Sequence, residues 1–404
     1  MSIGGEKMNR DDFPILKSGV IYFDSGATAL KPKCIVDATD EYYLKYSANV
    51  HRGDYNLSLK VDTMYEGTRE KIRKFINAKS RRNIVFTSGT TDSINKAVFG
   101  FFKYQLHEND EILITVSEHA SNVLPWFELA DSIKAKVKYI TLTPDHKVTL
   151  ENVKAAITPN TKVISLASIT NVIGDVRPIN AIIKYAHSLN IMVLVDAAQS
   201  ISHIKTDVEL MDPDFLAFSV HKMGGPTGVG VLYVNDKHLK KIKPTVFGGG
   251  MNATFELDGT RVYDEMPTLL EAGTANIAGV IGTGAIIDFY EKIGIKNIEK
   301  YESELRNYLI TRLKEIPEIE IYNEYSESAI VAFNYKDIFA QDLAIYLNKY
   351  NICVRAGNHC AKMLKNEINI KNTCRASLAF YNTKEEIDVL IYALKNPNIK
   401  SELF

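Results

Sequence analysis

The chain has 404 residues, too many for one small core, and implies two domains sharing an interface. Hydrophobic residues make up 46% and charged residues 24%, and 48 basic against 49 acidic side chains leave a formal net charge of −1. That balance excludes a global field able to gather nucleic acid or an anionic membrane, so the expected ligand is small and held by local charges.

Residues 1–12 are polar, without the apolar core of a secretory signal, and no apolar run approaches the roughly 20 residues needed to cross a bilayer. The four cysteines, Cys34, Cys353, Cys360 and Cys374, form no C-x-x-C pair. No His/Cys/Asp cluster has metal-ligand spacing. The expectation is a cytoplasmic chain with free thiols and no metal.

In chain order, residues 83–87 read as a strand that enters the turn Ser88-Gly89-Thr90-Thr91, and residues 92–102 read as a helix. A turn of that kind can hold a phosphate at a helix N-terminus or serve as an ordinary cap. Residues 111–116, 136–141, 161–167 and 191–195 read as buried strands, with helical stretches such as 181–189 between them. Residues 215–219 and 230–234 continue the series. Strands separated by helices predict a mostly parallel sheet covered on both faces.

Polar residues cluster where these strands end, which is where open parallel sheets bind ligands. His119 follows one strand. Asp196 directly follows 191–195, and Gln199 lies three residues on; such a carboxylate can pair with a protonated ring nitrogen. Ser219-Val220-His221-Lys222 ends another strand beside a glycine-rich turn, a setting for a Schiff-base lysine, although most lysines are simply solvated.

Residues 247–259 are glycine-rich and read as a mobile loop. From 278 onward the texture changes to a long helical pattern over 286–313 and short strands at 329–334 and 352–355. These strands flank a helix at 341–349, and a last helix starts near Thr383 with Glu385 and Glu386 in its first turn. Within this part, Arg355-Ala-Gly-Asn-His359-Cys360 offers a thiol with neighbours able to favour its thiolate electrostatically. Arg375 can clamp a carboxylate or serve as a structural ion pair.

Taken as an ordered set, these clusters resemble the group II (Suf/Csd-type) cysteine desulfurases of the fold-type I pyridoxal-phosphate enzymes, in the class V aminotransferase family. The resemblance runs from Tyr22-Phe-Asp-Ser-Gly-Ala-Thr to Arg375-Ala-Ser-Leu-Ala-Phe-Tyr. It includes Asn49-Val-His51-Arg52-Gly53, Phe86-Thr-Ser-Gly-Thr-Thr, Asp196-Ala-Ala-Gln199, Ser219-Val-His221-Lys222 and Glu271-Ala-Gly-Thr-Ala-Asn276.

The resemblance implies an α/β fold: residues 1–20 as a segment packing with the small domain, 21–280 as a large domain with a mostly parallel seven-stranded sheet, and 281–404 as a small α+β domain carrying the catalytic cysteine. It implies pyridoxal 5'-phosphate bound covalently by Lys222, with His119 stacked on its ring, Asp196 at the ring nitrogen and Gln199 at the phenolic oxygen. Thr91, Ser219 and His221 would hold the phosphate, with a backbone contact from Thr90. Thr274 would reach the phosphate of a partner subunit in a homodimer. Asn171 and Arg375 would bind the substrate carboxylate, Arg355 would stand near the nucleophile, and Cys360 would be that nucleophile.

The implied reaction takes sulfur from L-cysteine, leaves alanine, and passes sulfur to an acceptor: a SufE-like or SufU-like carrier or an iron–sulfur cluster scaffold. L-Selenocysteine lysis and another class V reaction are the alternatives. The chain departs from the family pattern at Ser25-Gly26, at His119-Ala120, where a second histidine is missing, and at Asn358-His359.

Overall fold

A computed structural model describes residues 2–3, 6–7, 10–51, 53–369 and 371–402. The Arg52 of the sequence motif lies outside the described residues, as does part of the expected N-terminal segment.

Seven strands form the main sheet: β1 (Ile84–Thr87), β2 (Glu111–Ile114), β3 (Lys136–Tyr139), β4 (Thr161–Ala167), β5 (Met192–Asp196), β6 (Phe215–Ser219) and β7 (Gly230–Val234). Their order is β1-β7-β6-β5-β4-β2-β3. Only β7 runs antiparallel to its neighbours within this sheet, so β1, β2, β4, β5 and β6 all end at one edge.

Alternation along the strands feeds two apolar layers. Leu113, Ile164, Val193, Val195 and Leu216 face one core, while Ile112, Ile114, Val163, Leu194 and Phe215 face the other. Side chains of a strand alternate in direction, so a run apolar at every position must be covered on both faces. Trp126, fully buried on helix Leu124–Ile133, anchors the second layer.

The expected helix at 286–313 is two helices, Ile277–Ile293 and Ile295–Leu313. The break falls at Gly294, whose φ of 84° lies in the left-handed region that glycine enters at little cost. The first helix packs into the large-sheet core and most of the second into a separate core.

That separate core backs an antiparallel sheet of β8 (Ile319–Tyr322), β9 (Ile330–Tyr335), β10 (Arg355–Gly357) and β11 (Thr373–Ser377), in order β8-β9-β11-β10. The last helix, Lys384–Leu394, starts from a capping box in which Thr383 and Glu386 satisfy each other's backbone N–H groups.

The glycine-rich stretch expected to be a loop instead contains a hairpin, with Asn252–Phe255 paired to Arg261–Tyr263. Its polar, glycine-containing turn was legible, but not the pairing of its flanks. Near the chain start, Ile21–Tyr22 pairs in parallel with Ile352–Cys353, and Phe13 packs against Phe289, Phe380 and Tyr381. Among the described residues, no helix is long and apolar enough to cross a membrane.

Candidate active site

The shared strand edge opens into a cavity of about 240 Å³, closed on its other side by residues of β10, β11 and the segment after β10. After β1, the chain turns at Ser88-Gly89 and starts helix Thr90–Gly100, whose N-cap Gly89 supplies no side-chain cap. The first turn therefore offers N–H groups and a positive dipole end toward an anion. The Thr90 N–H is already committed, donating to Ser219 Oγ at 2.7 Å, and the Thr90 and Ser219 hydroxyls are also 2.7 Å apart. Thr91 Oγ1 pairs with Ser121 Oγ at 2.7 Å. β7 passes so close to this turn that a Cβ on Gly230 would lie 2.4 Å from Gly89 Cα.

His119 follows β2 and opens a short helical turn. Its Nδ1 accepts the Ser121 N–H at 3.1 Å, so the neutral ring carries its proton on Nε2. Burial, and then the charges of Lys222, Arg355 and Arg375, push its pKa down to about 4. Beneath it lies a polar network that the sequence did not announce. Glu118 pairs with Arg177, both fully enclosed, and also accepts from the Asn122 amide and the Ala167 N–H, each at 2.8 Å. Arg177 further donates to Thr115 at 2.9 Å and Ser117 at 2.8 Å. The network holds the His119 segment against β4.

Asp196 is the last residue of β5 and accepts the Ala198 N–H at 2.9 Å. Burial raises its carboxyl to about 6. Lys222 lies in the turn after β6, where burial lowers its amine to about 8 while Asp196 opposes that shift. A buried cation held near neutrality gives a usable nucleophilic amine. Gln199 Nε2 donates to the Gly26 carbonyl at 2.9 Å. His221 is half-buried, and burial followed by Lys222 and Lys31 lowers it to about 4.

Arg375 on β11 is buried and faces Arg355 across the β10–β11 ladder. Its Nη1 donates to Asn171 O at 2.7 Å, and its Nη2 meets Asp24 Oδ1 at 2.8 Å. Sequence reading assigned no role to Asp24, although it lies inside the quoted Tyr22-Phe-Asp motif. Gly26 sits close against this corner: a Cβ would lie 3.1 Å from Ser377 Oγ and 3.2 Å from Arg375 Cζ, so those side chains would have to give by a few tenths of an ångström.

Cys360 is exposed, lines the cavity, and has its carbonyl bound by the Ala120 N–H at 2.8 Å. His359 and Cys360 are both left-handed, with φ of 50° and 60°. Each such non-glycine residue costs roughly 1–2 kcal/mol, which surrounding contacts must offset. His359 is a buried, neutral ring, lowered to about 3 chiefly by burial and then by Arg375. It therefore brings no positive charge to the thiol, contrary to the electrostatic role its sequence position suggested.

The cavity thus gathers Thr90, Thr91, His119, Asn171, Asp196, Gln199, Ser219, His221, Lys222, Arg355, Cys360 and Arg375 from seven separate segments. Thr274 is not among them. It is exposed and lines a different hollow of about 330 Å³, beside Ser88 and Asp92. Among the described residues, no group of three or more His, Cys, Asp or Glu is arranged to hold a metal ion.

The model of the aminotransferase class-V family matches residues 21–390. A "Probable cysteine desulfurase" of Halalkalibacterium halodurans is 43% identical over 392 residues, covering 95% of each chain. The apo structure of a cysteine desulfurase from Thermococcus onnurineus NA1 superposes with a TM-score of 0.94 at 36% identity, covering 99% of both chains. The Escherichia coli cysteine desulfurase CsdA, in an S-sulfonic acid form, gives 0.92 at 35% identity, covering 99% of this chain and all of that one. The chain belongs to the class-V aminotransferase family and, within it, to the cysteine desulfurases.

Proposed function

We propose that the protein converts L-cysteine to L-alanine and takes the sulfur onto Cys360 as a persulfide, using pyridoxal 5'-phosphate. The observation that carries this reading is that one cavity of about 240 Å³ joins the buried Lys222 amine to the exposed Cys360 thiol. The donor set fits the cofactor. The uncapped helix start with Thr90, Thr91, Ser219 and His221 suits a phosphate, and the buried Asp196 carboxylate suits a protonated ring nitrogen. When bound, the cofactor supplies an electron sink that weakens the bonds at the substrate Cα and Cβ.

The protein's own residues do the rest. Lys222 holds the cofactor and then, released by substrate, takes the Cα proton as a general base. Arg375 and Asn171 orient the substrate carboxylate, and neutral His119 would hold the cofactor ring within the cavity. The Cys360 thiolate attacks the substrate sulfur. The Cβ–S electron pair stays with the carbon fragment, which is protonated to alanine, and the new S–S bond is the persulfide.

Thr274, exposed and outside this cavity, is assigned to the phosphate of a second copy, which makes the active form a homodimer. The outer sulfur then passes to an acceptor protein in iron–sulfur cluster assembly or another sulfur-trafficking route. We also assign residues 21–280 to a large cofactor-holding domain and 281–404 to a small one carrying Cys360; the packing of Ile277–Ile293 into the large-sheet core supports a junction as late as Gly294.

The test is to incubate the purified holoenzyme with L-cysteine, quantify alanine, and map added sulfur by mass spectrometry. Alanine with one extra sulfur on Cys360 is expected. Pyruvate or free sulfide with an unmodified Cys360 would overturn the proposal.

A further inference from the structure

The turn bearing Cys360 is held by hydrogen bonds to three different segments. The Ala120 N–H binds the Cys360 carbonyl at 2.8 Å, and Asn171 Nδ2 binds the His359 carbonyl at 2.6 Å. From the opposite side, His359 Nε2 reaches both the Thr373 carbonyl at 3.0 Å and its hydroxyl at 2.9 Å. The first two bonds come from the large-sheet side of the cavity; the third roots the turn in β11, two residues from Arg375.

We propose that His359 is a positioning residue for sulfur transfer, its imidazole acting as a peg that fixes Cys360 toward the cavity without lending the thiol any charge.

The geometry supports both halves of this statement. His359 Nε2–H has its acceptor in the Thr373 carbonyl, whereas the buried Nδ1 has no partner. A charged ring would need an acceptor at both nitrogens, so protonation is disfavoured on hydrogen bonding as well as on burial. Two consecutive left-handed residues, neither of them glycine, do not keep that shape unaided. The ring is 5% exposed while Cys360 is exposed, so the turn drives one side chain inward and leaves the other at the cavity. The cations that share the cavity with the thiol are Lys222, Arg355 and the Asp24-paired Arg375. None of these changes when His359 is replaced.

The inference rests on the assignment of Cys360 as nucleophile, and its test separates the two. His359→Ala and His359→Gln are prepared as holoenzymes; glutamine keeps an N–H at about the reach of Nε2. Three quantities are measured: the visible spectral change on adding L-cysteine, the single-turnover rate of persulfide formation on Cys360, and the pH profile of Cys360 alkylation by iodoacetamide.

In His359→Ala the spectral change and the alkylation midpoint should match wild type while persulfide formation slows by about a hundredfold, the usual cost of a displaced reacting group. His359→Gln should recover at least about a tenth of the wild-type rate on the same argument. Wild-type persulfide rates in His359→Ala would overturn the peg. An alkylation midpoint moved by about one pH unit would assign His359 a charge role instead. Should the alanine variant not fold, a glutamine variant slowed as much as about a hundredfold would also overturn it. Sulfur mapped to a cysteine other than Cys360 in the wild-type chain would sink the nucleophile assignment itself.

Discussion

Asp24 Oδ1 and Arg375 Nη2 meet at 2.8 Å in a partly buried pair beside the cavity, and Arg375 Nη1 is held by the Asn171 carbonyl at 2.7 Å. One carboxylate neutralises the guanidinium while one carbonyl sets its plane. Arginine suits this place because its donors are fixed in a fork, whereas lysine presents a single rotating point charge. Arg375→Lys is expected to lose about a hundredfold in kcat/KM for L-cysteine, close to 2.7 kcal/mol, mainly through KM. Steady-state alanine formation measures it. A variant with unchanged KM would show that the fork does not hold the substrate carboxylate.

Cofactor capture by the apo protein should follow the protonation of Lys222. Only the neutral amine attacks an aldehyde, and burial lowers Lys222 from the ordinary lysine range to about 8. Uptake of pyridoxal phosphate, followed by visible absorbance, is expected to rise with pH through about 8. Asp196, ionised at that pH, raises the Lys222 value, so Asp196→Asn should move the midpoint lower. A midpoint near that of a solvated lysine would mean the amine is not enclosed. The same shift acts on stability. Between about 8 and 10.5 the unfolded chain binds a proton that the folded one does not, so apo stability rises with pH across that window. Below it, Lys222→Met should stabilise the apo protein by up to about 3 kcal/mol in urea melts.

Much of this was legible in the sequence for local reasons. Six of the seven strands of the large sheet are short apolar runs bounded by polar turns, and β4, β6 and β7 matched their sequence-read limits; β3, Lys-Val-Lys-Tyr at the sheet edge, was read as buried but is largely exposed. Asp196, Lys222 and Ser219 could be placed at strand ends because a strand end is a local feature. The helix break at Gly294 was hidden by apolar spacing that continues on both sides of it. β11 was not read as a strand because Thr373, Cys374 and Arg375 show no apolar alternation; their burial comes from partners distant in sequence. Asp24 and the Glu118–Arg177 pair were invisible as site elements for the same reason, since a charge is recognised as buried only once its neighbours are placed. Thr274 is the converse case. The motif singled it out, yet within one chain it stands apart from the cavity.

Gly230 should tolerate no side chain. It sits on β7 opposite Thr87 at the cavity edge, where an added Cβ would meet Gly89 backbone atoms at 2.4 to 2.6 Å. Backbone cannot rotate away as a side chain can, so β7 and the Ser88–Thr91 turn would have to separate. Gly230→Ala is expected to cost about 1–3 kcal/mol of stability and to weaken cofactor retention, because the displaced turn carries the hydroxyls we assign to the phosphate. Urea unfolding and dilution-driven loss of the visible band test the two effects. Retained cofactor with wild-type stability would show that the two strands have slack at this edge.

The buried pair Glu118 and Arg177 offers a test of how the His119 segment is supported. Each carries several hydrogen bonds besides the shared one, and together they tie the segment after β2 to the end of β4. Removing Arg177 leaves Glu118, and Asp175 which meets the same guanidinium at 3.4 Å, as uncompensated carboxylates in the interior. Arg177→Met should therefore destabilise the fold by about 3–5 kcal/mol. In the double variant Arg177→Met with Glu118→Gln the Glu118 charge is gone and only that of Asp175 stays stranded, while a glutamine oxygen can still accept from the Ala167 N–H. The double variant should regain part of the loss, a coupling of about 1–3 kcal/mol in a double-mutant cycle by urea denaturation. Additive single and double losses would mean that the two charges do not depend on each other. The His119 ring would then be held by its bond to the Ser121 N–H rather than by the network beneath it.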